Sequence, residues 1–208
     1  EEDGTELVEQ VSSSNGDATF VQTDVTDEDA VAAAVETATD TYGGLDSVVN
    51  NAAVASPEAD GPITEFTDEG FDFLSGVNLR GPAYLCKHAI PAMQETGDGT
   101  GAVVNNASIA ALVAEPGMDV YTATKGALVS VTRSIAVEYA PDIRANAICP
   151  GVVETPMLEA AADEDDHLQE MIEQTPTGIG QPEDVANVVA FLASDRAQYI
   201  NGAVIPVD

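Results

Sequence analysis

Tyr121 and Lys125, four residues apart, are the side chains in this sequence best suited to moving a proton. On a helix, positions i and i+4 share a face, so the phenol and the ammonium point into one space. A neighbouring cation stabilises a phenolate and draws a tyrosine pKa down from about 10 toward working pH. Lysine is scarce in this chain, which has two lysines and four arginines against 37 acids. Tyr-x-x-x-Lys alone is a weak motif, equally at home as a surface pair on a helix. Its meaning depends on what the rest of the chain brings beside it.

Ala127, Leu128, Val131, Ile135, Ala136 and Tyr139 recur at helical spacing after the pair, so both residues belong at the start of a helix that Pro141 ends. Other helices are expected from Thr26, a hydroxyl cap with acids behind it, to Gly43-Gly44; from Asn78 to Met93; and from Gln181-Pro182-Glu183-Asp184 onward. Leu7, Val8 and Val11 form a short apolar stripe before an Asn15-Gly16 turn. Strands are expected at 18–22, 45–49, 102–107, 143–148 and 202–207. Residues 154–178 read as a helical lid or as plain surface helix.

Strands alternating with helices give an α/β fold, a doubly wound and mostly parallel sheet of the Rossmann-like kind. In such sheets ligands bind beyond the carboxyl ends of the strands. Asp24-Val25, Asn50-Asn51, Ser108 and Pro150-Gly151 all follow directly on expected strands. Four polar or turn-forming strand ends therefore meet on one edge, next to the helix that starts with Tyr121.

At 208 residues one domain, 1–208, is expected. The chain is 44 % hydrophobic but 5 % aromatic, so Ala, Val, Ile and Leu build the core. A net charge of -31, spread along a chain this apolar, fits a folded domain adapted to high salt better than a disordered acidic tail. A cationic partner is the lesser alternative. Six cations cannot form a basic patch, which argues against nucleic-acid binding. Cys86 and Cys149 lie in apolar settings and read as reduced core thiols. No metal-ligand spacing joins them to His88 or His167, so no metal is expected. His88 reads as a structural helix residue. No apolar run is long enough for a membrane span or leader, which points to a cytoplasmic protein.

These residues resemble the short-chain dehydrogenase/reductase family, single-domain type, over nearly the whole chain. Asp24-Val25-Thr26 is similar to the family's adenine-side segment, and Asn50-Asn51-Ala52-Ala53 to its Asn-Asn-Ala-Gly motif, with Ala53 at the glycine position. Asn78, Ser108, Tyr121 and Lys125 match its catalytic set. Pro150-Gly151-Val152-Val153-Glu154-Thr155 resembles the segment beside the nicotinamide, and Gln181-Pro182-Glu183-Asp184 the late helix start. The resemblance implies hydride transfer between NAD or NADP and an alcohol or ketone. Tyr121 would be the acid/base, with Lys125 lowering its pKa and holding the ribose. Ser108 would hold the substrate oxygen and Asn78 a relay water. Asp24, Val25, Asn51, Ala52, Tyr121, Lys125, Pro150, Gly151, Val153 and Thr155 would bind the cofactor. A homotetramer or homodimer is expected on the same ground.

The sequence also departs from the pattern. The family's opening strand and Gly-rich turn have no counterpart here, so the sheet is expected to be incomplete at the N-terminus. The C-terminus reads as short, and cofactor binding is expected to be weak. The residue that chooses NAD or NADP belongs to the opening region. The family's arginine before the late helix is not found in Thr177-Gly178-Ile179-Gly180. A second reading is therefore a non-catalytic or truncated homologue, serving as a subunit partner or inactive product. Residues 109–120 and 154–178, with Leu112, Val113, Met118, Met157 and Leu158, are expected to form an apolar substrate pocket.

Overall fold

In the computed structural model, residues 2–113, 115–155, 175 and 177–208 are described. Four strands, β1 (Ser47–Asn50), β2 (Gly101–Asn106), β3 (Ile143–Pro150) and β4 (Val204–Val207), form a sheet in that order with every neighbouring pair parallel. The expected α/β parallel architecture is thus present. Val103, Val104, Ala145, Ala147 and Ile148 are completely buried, as residues of parallel strands covered on both faces must be.

Among the described residues the α-helices are α1 (Glu2–Ser13), α2 (Glu28–Tyr42), α3 (Asp68–Ser75), α4 (Gly81–Glu95), α5 (Asp119–Glu138) and α6 (Pro182–Ala193). One core gathers Val35, Ala89, Ile90 and Met93 from α2 and α4, Ile135 from α5, and Val48, Val103 and Ile143 from the strands. A second packs Leu192, Val185 and Val189 of α6 on Val104, Ile148 and Ile205. Gly43 closes α2 at φ 80, where a residue without Cβ is favoured. The capping box of α6 is formed by Gln181 and Asp184.

Four expectations are corrected. Residues 18–22 join no ladder, and β1 is the edge strand of the sheet. Phe20 instead lies against Gly4 of α1, and Tyr42 donates to Thr19 at 3.0 Å. The cap of α2 is Asp27, whose carboxylate accepts from Asp29 N and Ala30 N; Thr26 is taken by Asp24 Oδ1. The stretch between Asn50 and Asn78, where no helix was expected, contains α3, capped by Thr67 Oγ1. Finally, Asn78 does not begin α4. It lies in a π-helical turn, Gly76–Arg80, between α3 and α4, with Pro82 in the first turn of α4 as a missing N–H requires.

Candidate active site

The parallel register sets Asn50 beside Asn105, Asn106 beside Ile148, and Pro150 beside Val207. The strand ends therefore meet on one edge. Ser108 lies two residues beyond β2, in extended backbone, and its Oγ accepts from Ala110 N at 3.1 Å to start a short 3-10 turn. Across from it, α5 delivers Tyr121 in its first turn and Lys125 one turn later.

The Ser108 hydroxyl sits near enough to the Tyr121 phenol to favour its ionised form by hydrogen bonding. Lys125 is 3 % exposed, and its Nζ lies 5.6 Å from the centre of the Tyr121 ring. It donates to the carbonyl of Asn106 at 3.0 Å. Among the described residues no carboxylate pairs with it. Burial therefore lowers the lysine pKa from 10.5 to about 8, opposed by the nearby Cys149. Tyr121 corrects the sequence-based expectation: burial raises its phenol pKa, and the Ser108 hydrogen bond opposes that without cancelling it.

Asn78 is 1 % exposed, and both ends of its amide are engaged. It donates to Val54 O and accepts from Val54 N, each at 2.8 Å, and Nδ2 lies 3.4 Å from Thr124 Oγ1. It thus clamps the loop after β1 to α5. Sequence reasoning missed a second tie between that loop and α5, made by Asp60 and Asp119. Asp60 accepts from Val120 N and Tyr121 N, and Asp119 from Ile63 N. The acids were visible, but no spacing rule links residues so far apart.

The residues expected on the cofactor side fall into two groups. Val25, Asn51 and Ala52 line an apolar cleft of about 210 Å³ with Val31, Val49, Pro82 and Leu85. Asp24 stands nearby, its carboxyl pKa lowered by the Thr26 hydrogen bonds. Asn51 Oδ1 accepts from Asn106 Nδ2 at 2.8 Å, while Asn106 Oδ1 is buried and meets no donor among the described residues. The second group follows β3. Gly151 N donates to Val207 O, and a Cβ at Gly151 would strike Asp208. Val153 bridges to Gly180, which precedes the Gln181 cap of α6. An apolar cleft, an unmet acceptor and a buried lysine beyond the strand ends fit a nicotinamide dinucleotide.

Of the expected pocket residues, Leu112 and Val113 are exposed and Met118 caps α5 without a side-chain bond. Of the lid expected at 154–178, residues 156–174 and 176, with Met157 and Leu158, lie outside the described residues. His88 contacts Glu28 at 3.2 Å beside the Lys87–Glu28 pair, joining α4 to α2. Cys86 and Cys149 are buried free thiols. Among the described residues no cluster could hold a metal, and no helix is long and apolar enough to cross a membrane.

The family model described as enoyl-(acyl carrier protein) reductase matches residues 1–208. The chain belongs to the short-chain dehydrogenase/reductase family. It is 40 % identical over 190 residues to the 2-(R)-hydroxypropyl-CoM dehydrogenase of Xanthobacter autotrophicus, covering 90 % of this chain and 75 % of that one. It is 39 % identical over 193 residues to the cis-4-hydroxycyclohexanecarboxylate dehydrogenase of Sinomonas cyclohexanicum, covering 92 % and 75 %. The solved structure of ElxO with NADP bound superposes with a TM-score of 0.82 at 32 % identity, covering 91 % of this chain and 76 % of that one. This short-chain dehydrogenase/reductase is an NAD(P)-dependent oxidoreductase of alcohols and ketones.

Proposed function

We propose that the protein interconverts a secondary alcohol and its ketone, with Tyr121 as acid/base. The observation that carries this reading is the buried Lys125, unpaired with any described carboxylate in a chain of 37 acids, set 5.6 Å from the Tyr121 ring. A buried, unpaired ammonium is costly, and its neighbour here is a group that must pass through an anionic state. The nicotinamide, when bound, supplies the hydride chemistry.

The chain's own groups handle the oxygen and its proton. Ser108 donates to the substrate oxygen and holds it beside Tyr121. With its pKa raised by burial, Tyr121 is a neutral acid at working pH, ready to protonate an alkoxide as a ketone is reduced. In the reverse direction the phenolate form, stabilised by the Lys125 ammonium, takes the proton from the alcohol. Asn78 holds α5 against the loop after β1 and keeps the relay position next to Thr124. Asp24, Val25, Asn51 and Ala52 would hold the adenosine half. Pro150, Gly151, Val153 and Thr155 would hold the nicotinamide half, with Lys125 at its ribose.

Both named relatives have names that place a hydroxyl on a secondary carbon, which supports the substrate class. The net charge of -31 supports work at high salt, where counterions screen the self-repulsion. The exposed Val137 and Tyr139 near the end of α5 support homo-oligomer assembly.

The test is a panel of secondary alcohols, including 4-hydroxycyclohexanecarboxylate, offered with NAD⁺ and NADP⁺ at about 0.1 and 2 M KCl. Tyr121→Phe is expected to cut turnover by about 10²–10⁴-fold with cofactor affinity little changed. Wild-type turnover in that variant would remove Tyr121 from the role.

A further inference from the structure

Every helix needs acceptors for its first free amides. In α2 and α3 they come from the adjacent Asp27 and Thr67, and in α6 from the neighbouring Gln181. In α5 the residue at the cap, Met118, gives no side-chain bond. The acceptors instead come from the loop after β1. Gly61 O accepts from Asp119 N at 3.4 Å, Asp60 Oδ1 from Val120 N at 3.0 Å, and Asp60 Oδ2 from Tyr121 N at 2.8 Å. Asp119 returns the bond by accepting from Ile63 N at 2.8 Å. Asp60 is itself fixed, with its N donating to Ser56 O at 3.0 Å and its Oδ1 accepting from Gly61 N at 2.8 Å.

A local cap would stabilise the helix equally well, but it would not fix where the helix sits. A carboxylate 61 residues away does both. It grips the amide of Tyr121 itself and references it to the loop that leaves the β1 edge. The same loop holds Asn78 through Val54. Two of the four expected catalytic side chains are thus tied to one segment.

We infer that Asp60 is a positioning residue for the reaction, setting the depth and direction of Tyr121 through the first turn of α5. It touches no reacting atom, and the inference rests on Tyr121 being the acid/base. An error of about 1 Å in placing such a group costs on the order of 10²-fold in rate.

The test compares Asp60→Ala, Asp60→Asn and, as a cap removed from a helix without chemistry, Thr67→Ala. Each is measured for kcat and cofactor KM on the best alcohol of the panel, and for Tm. Asp60→Ala should lower kcat about 10–100-fold with cofactor KM within about threefold. Asp60→Asn, which keeps one acceptor oxygen, should fall between that variant and wild type. Thr67→Ala should lose a similar Tm with kcat intact. In a Tyr121→Phe background, Asp60→Ala should cost no more than about twofold, because the group it positions is gone. A second readout needs no substrate: the phenol of Tyr121 is titrated by absorbance as the difference between wild type and Tyr121→Phe. With Asp60→Ala it should return toward the ordinary phenol value, and with Thr67→Ala it should not. Equal kcat in Asp60→Ala and Thr67→Ala, a full Asp60→Ala loss in the Tyr121→Phe background, or an unmoved titration would each overturn the inference. If Asp60→Ala does not fold, Asp60→Asn takes its place in every comparison. Full turnover by Tyr121→Phe alone would overturn the acid/base assignment instead, and the titration would then decide whether Asp60 places the phenol.

Discussion

Lys125 costs the folded protein free energy whenever it is charged. Its pKa falls from 10.5 to about 8 on burial, so between those values the unfolded chain holds a proton that the folded chain has lost. Stability therefore rises with pH across that window, and below about 8 the full penalty applies. The shift sets a ceiling of about 3 kcal/mol, less about 1 kcal/mol for the hydrogen bond to Asn106 O. Lys125→Met is accordingly expected to be more stable than wild type at pH 7, with the advantage shrinking as pH rises from 8 toward 10. Urea unfolding at pH 7 and 9.5 checks this, and an equal offset at both would contradict it. Tyr121 has the opposite sign, since a raised phenol pKa makes stability fall once pH passes the unfolded value near 10. The placing of Tyr121, Lys125 and Ser108 was readable because helix periodicity and strand-end position are local rules. The direction of the tyrosine's shift was not, because spacing shows that a cation is near but not how much water the fold removes. Asp60 was unreadable because its partner lies 61 residues away.

Between elements, a line of buried amides crosses the sheet. Asn50 Nδ2 donates to Asn105 Oδ1 at 2.7 Å, Asn105 Nδ2 to Thr132 Oγ1 at 2.8 Å, and Thr132 to Leu128 O at 2.8 Å, joining β1, β2 and α5. Asn105 is 0 % exposed, so each bond is made without competition from water. Asn105→Leu leaves unmet the Asn50 N–H and the Thr132 oxygen lone pair that faced it, while Asn50 keeps Cys86 Sγ and Thr132 keeps Leu128 O, and is expected to cost about 1–3 kcal/mol. Adding Asn50→Leu and Thr132→Val, which removes the stranded groups, should recover part of that loss. Denaturant midpoints for the single and triple variants measure it, and simple addition of the losses would count against a connected line. At this scale β1 to β4 were legible from apolar runs and α5 from helical periodicity ended by Pro141. The helix α3 was missed because Phe66, Phe71 and Phe73 are exposed and mark no buried face, although Thr67-Asp68-Glu69 carries the start signal. Residues 18–22 have the composition of a strand, but composition does not supply a partner.

Over the whole molecule, the sequence shows the charge and only the fold shows its arrangement. Of six cations, Lys125 is buried and Arg144 is half-buried, donating to the carbonyls of Leu192, Ser194 and Ile200. Those two positive charges face inward while acids coat the exterior. For a dinucleotide, itself an anion, this makes approach and capture opposite problems. At long range it meets the field of -31 charges, and only within a few ångströms does the Lys125 edge attract it. The Debye length shrinks from about 10 Å at 0.1 M salt to about 3 Å at 1 M, which removes the first effect far more than the buried second. Salt should therefore speed the encounter, with the association rate for NAD(P)H in stopped-flow mixing rising several-fold between 0.1 and 1 M KCl; a falling rate would contradict this. Ionic strength then acts as a throttle on cofactor capture, set by the acid coat and leaving the hold of the inward-turned lysine nearly untouched.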